Sequence, residues 1–207
     1  MIDSGPSQAT HQHRFNLAQL LASLPPTATT RAAISTAAGL DVCSLDTIQQ
    51  DMERLPQATR RLAVQLRLAI DPQWIWAVLT DYNNLDRFIP NLASSRQLWR
   101  RGNRVAVEQV GTQQFCGLRF SARVQLEITE EIEQGRLPFQ LLDGDFRCFE
   151  GAWQVGVDAT STWLLYDLTV QGRPGMPIGL IEQRLQQDLA SNLRGVQQEA
   201  QRRSMAC

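Results

Sequence analysis

Six side chains of this 207-residue chain are the candidates for acid, base or oxyanion-stabilising groups of a catalytic site. They are two tyrosines, two glutamates and two arginines, namely Tyr82, Glu108, Arg123, Arg147, Glu150 and Tyr166. No histidine follows His13, so the chain beyond it lacks the commonest general base and cannot form a Ser-His or Cys-His pair. A glutamate could replace it only where burial raises the carboxyl pKa. Acid–base catalysis is therefore one hypothesis, and the missing histidine weakens it.

Other common chemistries leave no motif in the chain. There is no G-x-G-x-x-G segment after a strand, no phosphate-binding P-loop, no H-E-x-x-H and no C-x-x-C. The sequence therefore predicts no cofactor and no metal. Four cysteines are widely spaced, and we interpret them as reduced thiols of a cytoplasmic protein. A disulfide between Cys116 and Cys148, which both lie in predicted strands, is the alternative.

The charge balance argues against nucleic-acid binding. The chain has 20 basic and 21 acidic residues, and every basic residue is an arginine. A nucleic-acid-binding surface needs a basic excess, which this chain lacks. No stretch approaches the roughly 18 apolar residues of a transmembrane helix, and the N-terminus has no secretion signal pattern.

The spacing of apolar residues predicts a sheet with one dry face. In the segment 118–128, side chains alternate between the two faces of a strand with period two. Arg119, Arg123 and Glu127 fall on the polar face. The other face carries only apolar side chains: Leu118, Phe120, Ala122, Val124, Leu126 and Ile128. A sheet of this kind must cover its apolar face with another element.

Three helical segments accompany the predicted strands. Asp71-Pro72 gives an N-cap followed by proline at the first helical position, which predicts a short helix. A second short helix is predicted over Leu85–Ile89, before Pro90. From Pro177 to Arg203, apolar residues recur at steps of three and four and predict one long amphipathic helix.

These patterns together predict an α+β fold with one domain over residues 45–203. We expect a curved antiparallel sheet of about six to seven strands, wrapped on the long C-terminal helix, with two short helices after the early strand. Residues 1–44 are predicted to be an N-terminal extension, partly disordered, with one short helix over Phe15–Leu24. Because one helix is narrower than the sheet, the interior is expected to be incompletely covered and able to hold an apolar ligand.

Three separated segments resemble the START-like superfamily of polyketide cyclases/dehydrases and lipid-transport proteins. They are residues 80–92, 144–153 and 176–189, which read TDYNNLDRFIPNL, GDFRCFEGAW and MPIGLIEQRLQQDL. The sequence is most similar to the coenzyme-Q-binding type of this superfamily, in the versions found in photosynthetic organisms. The resemblance covers about residues 45–200 and implies a helix-grip fold around an elongated hydrophobic cavity. It does not imply a reaction.

The leading hypothesis is non-catalytic binding or transport of a hydrophobic small molecule, such as an isoprenoid quinone, a lipid or a pigment. The segment Tyr82–Pro90 is expected to form a mobile mouth. The predicted cavity residues are Trp76, Leu79, Tyr82, Phe88, Ile89, Phe120, Val124, Phe149, Trp153, Tyr166, Leu185 and Leu189. The predicted polar anchors for the ligand are Tyr82, Glu108, Arg147 and Glu150.

Two other functions stay open at this point. One is an aromatase or cyclase acting on a polyketide-like substrate. This enzyme hypothesis needs a carboxylate that faces the cavity. The strands of Glu108 and Glu150 carry apolar residues on both faces, so the sequence does not decide which face these two glutamates occupy. The other is an assembly or chaperone-like factor that acts through a protein partner or a transient membrane-surface contact. The sequence does not identify the ligand, and five tryptophans could fill the cavity.

Overall fold

A computed structural model describes residues 45–206, except residues 116, 117, 175 and 177. The predicted N-terminal helix and the disulfide partner Cys116 therefore lie outside the described residues. Among the described helices, none is both long enough and apolar enough to cross a membrane.

The described residues form one antiparallel sheet of eight strands, one more than the upper end of the predicted range. Its spatial order is β1-β2-β8-β7-β6-β5-β4-β3, so β3 and β1 form the two edges. The strands are β1 (Ile48–Leu55), β2 (Thr59–Leu68), β3 (Leu92–Arg101), β4 (Arg104–Phe115), β5 (Leu118–Thr129), β6 (Arg136–Gly144), β7 (Phe146–Val157) and β8 (Thr162–Gly172).

Two α-helices accompany the sheet, α1 (Pro72–Leu79) and α2 (Ile178–Met205). The predicted N-cap of α1 is present, because Asp71 Oδ1 accepts a hydrogen bond of 2.9 Å from the Gln73 backbone N–H. The second predicted short helix is only a 3₁₀ turn over Leu85–Arg87. The α+β helix-grip architecture expected from the sequence is confirmed, with the long helix α2 against one face of the curved sheet.

The two ends of the sheet differ, and we name each by its neighbouring element. The α1 end holds the last residues of β2 and the first residues of β8, next to helix α1. The hairpin end holds the β1–β2 turn (Leu55–Thr59), the last residues of β6 and β8, and the start of α2. The face toward α2 is called the inner face, and the opposite face is the outer face.

The outer face is polar and carries paired charges, as the alternation in 118–128 predicts. Arg123 bonds Asp143 and Glu108, and Arg104 bonds Glu127 at 2.5 Å. Pairs of this kind in contact with water add little to the stability of a fold. The apolar inner face therefore supplies most of the stabilising burial.

At the α1 end, helix α2 lies close to the 3₁₀ turn and to α1. The Arg203 guanidinium donates to Ala77 O at 2.8 Å and to Asp81 Oδ2 at 2.7 Å. Gly195 of α2 passes so near the backbone that a Cβ atom there would lie 2.2 Å from Phe88 O. Only a glycine permits this approach, which fixes the segment 80–90 against the C-terminal half of α2.

Gly195→Ala is predicted to destabilise the protein, although alanine is normally the better helix former by about 1 kcal/mol. The added methyl must displace the backbone at Phe88, so we expect a loss of about 1–3 kcal/mol of unfolding free energy in urea. Ser191→Ala, on the exposed side of the same helix, is the matched control and should change stability by only a few tenths of a kcal/mol. A stabilised Gly195→Ala variant would contradict this packing.

Candidate functional site

The burial of α2 changes along its length. Leu193, Val196 and Ala200 are fully buried against the α1 end, whereas Leu185, nearer the hairpin end, is only partly buried. The strands show this contrast only in part: Leu66 and Leu164 at the α1 end are 0% exposed, but so is Val170 at the hairpin end, and the partly buried inward residues there lie on β1, β6 and β7. The interior is therefore a filled core at the α1 end and is less completely filled at the hairpin end.

Six apolar residues on the inner side keep part of their surface accessible, although neighbours such as Val170 are fully buried. They pack against the core cluster, yet none reaches the fully buried state of the α1 end. They are Met52, Leu141, Phe146, Phe149, Trp153 and Leu185. Exposed apolar surface on the inner face indicates space that described side chains leave unfilled, since a close-packed interior leaves few voids. We define these six residues as the hairpin-end pocket, which reaches from Phe146 at the hairpin end to Trp153, beyond the middle of β7.

Aromatic rings form the base of this pocket. Trp153 and Tyr166 are cross-strand neighbours and stack with centroids 4.1 Å apart and planes at 8°. Phe149 lies 6.0 Å from Phe139 and 5.4 Å from Phe146. Tyr166 is buried, no hydrogen bond joins its hydroxyl to another described residue, and burial raises its pKa. Its hydroxyl is thus a neutral donor available to a ligand.

A bulge in β7 places two phenylalanines in the pocket. Pairing with β8 shifts register between Phe146 and Cys148, so Phe146 and Phe149 both face inward although three positions separate them. Gly144 precedes the bulge with φ of 150°, and a Cβ there would lie 2.4 Å from Arg123 O.

Three charged side chains border the pocket at the hairpin end. Glu182 of α2 is 8% exposed. Its Oε1 accepts from Arg54 Nε at 3.0 Å and Nη2 at 2.5 Å, and its Oε2 accepts from Arg60 Nε at 2.8 Å. Hydrogen bonds from Arg54, then from Arg60, lower the pKa of Glu182, which keeps it ionised. We call these three residues the hairpin triad.

The predicted cavity residues fall into two groups. Val124, Phe149, Trp153, Tyr166, Leu185 and Leu189 lie on the inner side of the sheet or on the facing side of α2. A second set packs at the α1 end instead, against the filled core: Trp76, Leu79, Tyr82, Phe88 and Ile89. The side chain of Phe120 lies outside the described residues.

The expected mouth at Tyr82–Pro90 does not border the pocket. This segment packs on the C-terminal half of α2, where Arg203 also lies 5.8 Å from the centre of the Phe88 ring. Tyr82 is 2% exposed, and its hydroxyl donates to Glu130 Oε1 at 2.9 Å, at the α1 end of β5. Burial and then the Glu130 charge raise the Tyr82 pKa. Its hydroxyl is therefore engaged and cannot anchor a ligand in the hairpin-end pocket.

The other predicted anchors lie away from the interior. Glu108 sits on the outer face between Arg96, at 2.9 Å, and Gln125, at 2.9 Å, and the hydrogen bond from Gln125 is the largest cause of its lowered pKa. A general acid needs the opposite shift. Glu150 is exposed on the outer face of β7, and Arg147 is exposed in the bulge. Arg123, a candidate catalytic group, is also on the outer face.

The hairpin triad was missed, although the sequence carries a signal for it. Arg60 continues the period-two series of Leu62 and Val64, which places it on the inner face. Glu182 lies three positions before Leu185 and thus on the inward stripe of α2. A charged residue at an inward position of a periodic apolar pattern indicates a buried ion pair. The spacing does not show which residue of opposite charge it pairs with.

A separate recess of about 330 Å³ lies on the solvent side of α2. It is lined by Ile48, Pro90, Ala190, Ser191, Arg194, Gly195 and Gln198. The helix residues that line this recess are not those of the inward stripe, which includes Leu189, Leu193 and Val196. The recess is therefore separate from the hairpin-end pocket.

The family of the chain follows from residues 68–196, which match the model of the polyketide cyclase / dehydrase and lipid transport family. The chain belongs to this family. The match covers more than half of the 207 residues and includes most of the strands that form the pocket. No curated protein matches the chain.

Several solved structures have the same fold as this chain. A STAR-related lipid transfer protein from Xanthomonas axonopodis is 13% identical, with a TM-score of 0.67, over 76% of this chain and 96% of that one. The Zhui aromatase/cyclase from Streptomyces sp. R1128 is 17% identical, with a TM-score of 0.61, over 70% and 96%. A START superfamily protein from Mycobacterium smegmatis is 15% identical, with a TM-score of 0.57, over 69% and 97%. These similarities show the fold alone.

Glu182 is predicted to make the stability of the protein sensitive to acid. Its pKa in the folded state lies below the ordinary value of 4.5, so its stabilising contribution is present above pH 4.5 and is lost as the pH falls through the folded-state pKa. In Glu182→Gln this contribution is absent at every pH. The difference in unfolding free energy between wild type and Glu182→Gln should therefore be constant at neutral pH and should shrink below pH 4.5. A difference independent of pH down to acid unfolding would contradict the triad.

Proposed function

We propose that this protein binds and carries a hydrophobic small molecule in the hairpin-end pocket, without chemical conversion. The observation that carries the proposal is the accessible apolar surface of inward-facing residues such as Phe146, Phe149 and Leu185 at one end of an otherwise filled interior. Such surface costs about 25 cal/mol per Å² to leave in water, and a bound apolar molecule would remove that cost. A pocket with apolar walls and few polar groups is typical of ligand sites.

The proposed ligand classes are an isoprenoid quinone, a lipid or a pigment. The sequence segments similar to the coenzyme-Q-binding type support the first class, and the family description includes lipid transport. We further propose that the protein works in the cytoplasm and collects its ligand by a transient membrane-surface contact. Among the described residues of the aromatic base, Tyr166 supplies a hydroxyl that can donate a hydrogen bond to a ligand.

Binding is favoured over aromatase or cyclase chemistry by the placement of the candidate catalytic groups. Glu108, Arg123 and Glu150 face away from the pocket. Tyr166 faces inward, but its raised pKa leaves a neutral phenol at physiological pH, which can donate a hydrogen bond and cannot act as a base. The similarity to an aromatase/cyclase at 17% identity does not alter this balance.

The direct test is solvent extraction of the purified full-length protein, followed by mass spectrometry. We expect one isoprenoid, lipid or pigment species at near one-to-one stoichiometry, and added ligand of that class should raise the melting temperature. An empty protein whose melting temperature no such compound changes would contradict the proposal.

A substitution in the pocket localises the site. Leu185→Trp adds volume where α2 meets the pocket and should lower the co-purified ligand about tenfold, equivalent to about 1.4 kcal/mol. Leu142→Trp makes the same change at a side chain that is 47% exposed and should leave ligand content unchanged. Equal ligand content in both variants would show that the ligand does not bind in the hairpin-end pocket.

A further inference from the structure

Two arginines of the β1–β2 hairpin face the interior. Arg54 and Arg60 are cross-strand partners, and both continue the inward series that includes Met52 and Leu62. The Arg60 side chain is 14% exposed and the Arg54 side chain is 71% exposed. Because arginine is always charged and its removal from water is costly, the largely buried Arg60 needs an anionic partner, whereas Arg54 keeps most of its side chain in water at the rim.

The hairpin triad leaves one positive charge without a described counter-charge. Glu182 is the only acid among the described residues that contacts either Arg54 or Arg60, so two cations face one anion. Arg54 uses Nε and Nη2 on Glu182, and Arg60 uses Nε on Glu182 and Nη1 on Thr59 O. Among described residues, Arg54 Nη1 and Arg60 Nη2 have no hydrogen-bond acceptor. These two groups are donors that an anion could occupy.

The triad is adjacent to the pocket. Arg60 pairs across the sheet with Val170, and Val170 pairs with Phe149, so two strand spacings of about 4.8 Å separate the Arg60 and Phe149 backbones. Tyr166 pairs with Val64, four residues along β2 from Arg60, which is about 13 Å at 3.3 Å per residue. The positive charge thus lies at the rim of the apolar space, and the Tyr166 hydroxyl lies in its base.

We propose that the molecule carried in the hairpin-end pocket is an amphipathic acid, whose carboxylate binds Arg54 and Arg60 beside Glu182 or in its place while its apolar body lies over Phe149 toward Tyr166. This inference rests on the proposed function. A carboxylate is favoured because its two oxygens match the planar fork of a guanidinium. Glu182 then competes with the ligand and, when the ligand is absent, keeps the arginines paired.

The test compares a charged probe with its uncharged form on the full-length protein. Dansylaminoundecanoic acid and its methyl ester share one apolar body and differ in the carboxylate, and dansyl fluorescence reports the transfer of either from water. We expect the acid to bind about tenfold more tightly than the ester, an effect equivalent to one charge-assisted contact.

Two variants of the triad should shift acid binding in opposite directions. Arg54→Gln should weaken acid binding several-fold and leave ester binding unchanged. Because the Arg54 side chain is 71% exposed, we expect this variant to fold normally, so a weaker affinity would report the lost contact. Glu182→Gln removes the competing carboxylate and should strengthen acid binding several-fold, again without effect on the ester. Arg96→Gln is the matched control, because Arg96 is 69% exposed and pairs with Glu108 on the outer face.

The outcomes separate this inference from the proposed function. Equal affinities for acid and ester, unchanged in Arg54→Gln, would overturn the carboxylate assignment and leave hydrophobic binding intact. If neither probe binds wild type, both proposals fail. If Glu182→Gln weakens the binding of acid and ester alike, the triad only holds α2 against the hairpin, and the inference is wrong.

Discussion

The structure depends on how much of a wide sheet one helix can cover. Eight strands at about 4.8 Å spacing give a sheet roughly four times the 10 Å diameter of a helix. Curvature reduces the area to be covered but does not remove the deficit. At the α1 end, helix α1 and the 3₁₀ turn supply the missing apolar groups, and the core there is filled. At the hairpin end, no described element takes that part, and the pocket lies there.

The distribution of charge follows from the same geometry. On the outer face, carboxylates such as Glu108 and Asp143 are paired with arginines in contact with water, where each pair contributes little free energy. On the inner face, the hairpin triad joins residues 122 and 128 positions apart in the chain. Removing Glu182 would leave the largely buried Arg60 without its counter-charge, which is destabilising, whereas Arg54 would remain solvated. The triad therefore fixes the first turns of α2 to the hairpin, beside the pocket that α2 partly covers.

Local patterns predicted the elements of this fold well. Alternation predicted the dry face of β5, and the Asp71-Pro72 pair predicted the start of α1, because both depend on near neighbours in the chain. The long helix was predicted to within two residues at its C-terminal end. The pocket half of the site followed from the same patterns, since Phe149, Trp153 and Leu185 are at inward positions of their elements.

What the sequence did not reveal depends on distant pairing. A register shift in β7 brings Phe146 inside, and no alternation rule anticipates an inserted residue. Tyr82 was expected at the mouth, but its hydroxyl bonds Glu130, a partner 48 residues away. Glu108 has apolar neighbours on both sides, so its face became clear only from its contacts with Arg96 and Gln125.

Methyl NMR of leucine and valine side chains tests most directly whether the interior is divided into a filled end and a ligand-binding end. The methyl ester of dansylaminoundecanoic acid would be titrated into the protein, so that charge has no part in the result. We expect shift changes at the hairpin end, in Val124, Leu141 and Leu185, and none at the α1 end, in Leu66, Leu164 and Leu193. Changes spread evenly over both ends, or confined to outer-face methyls, would contradict it.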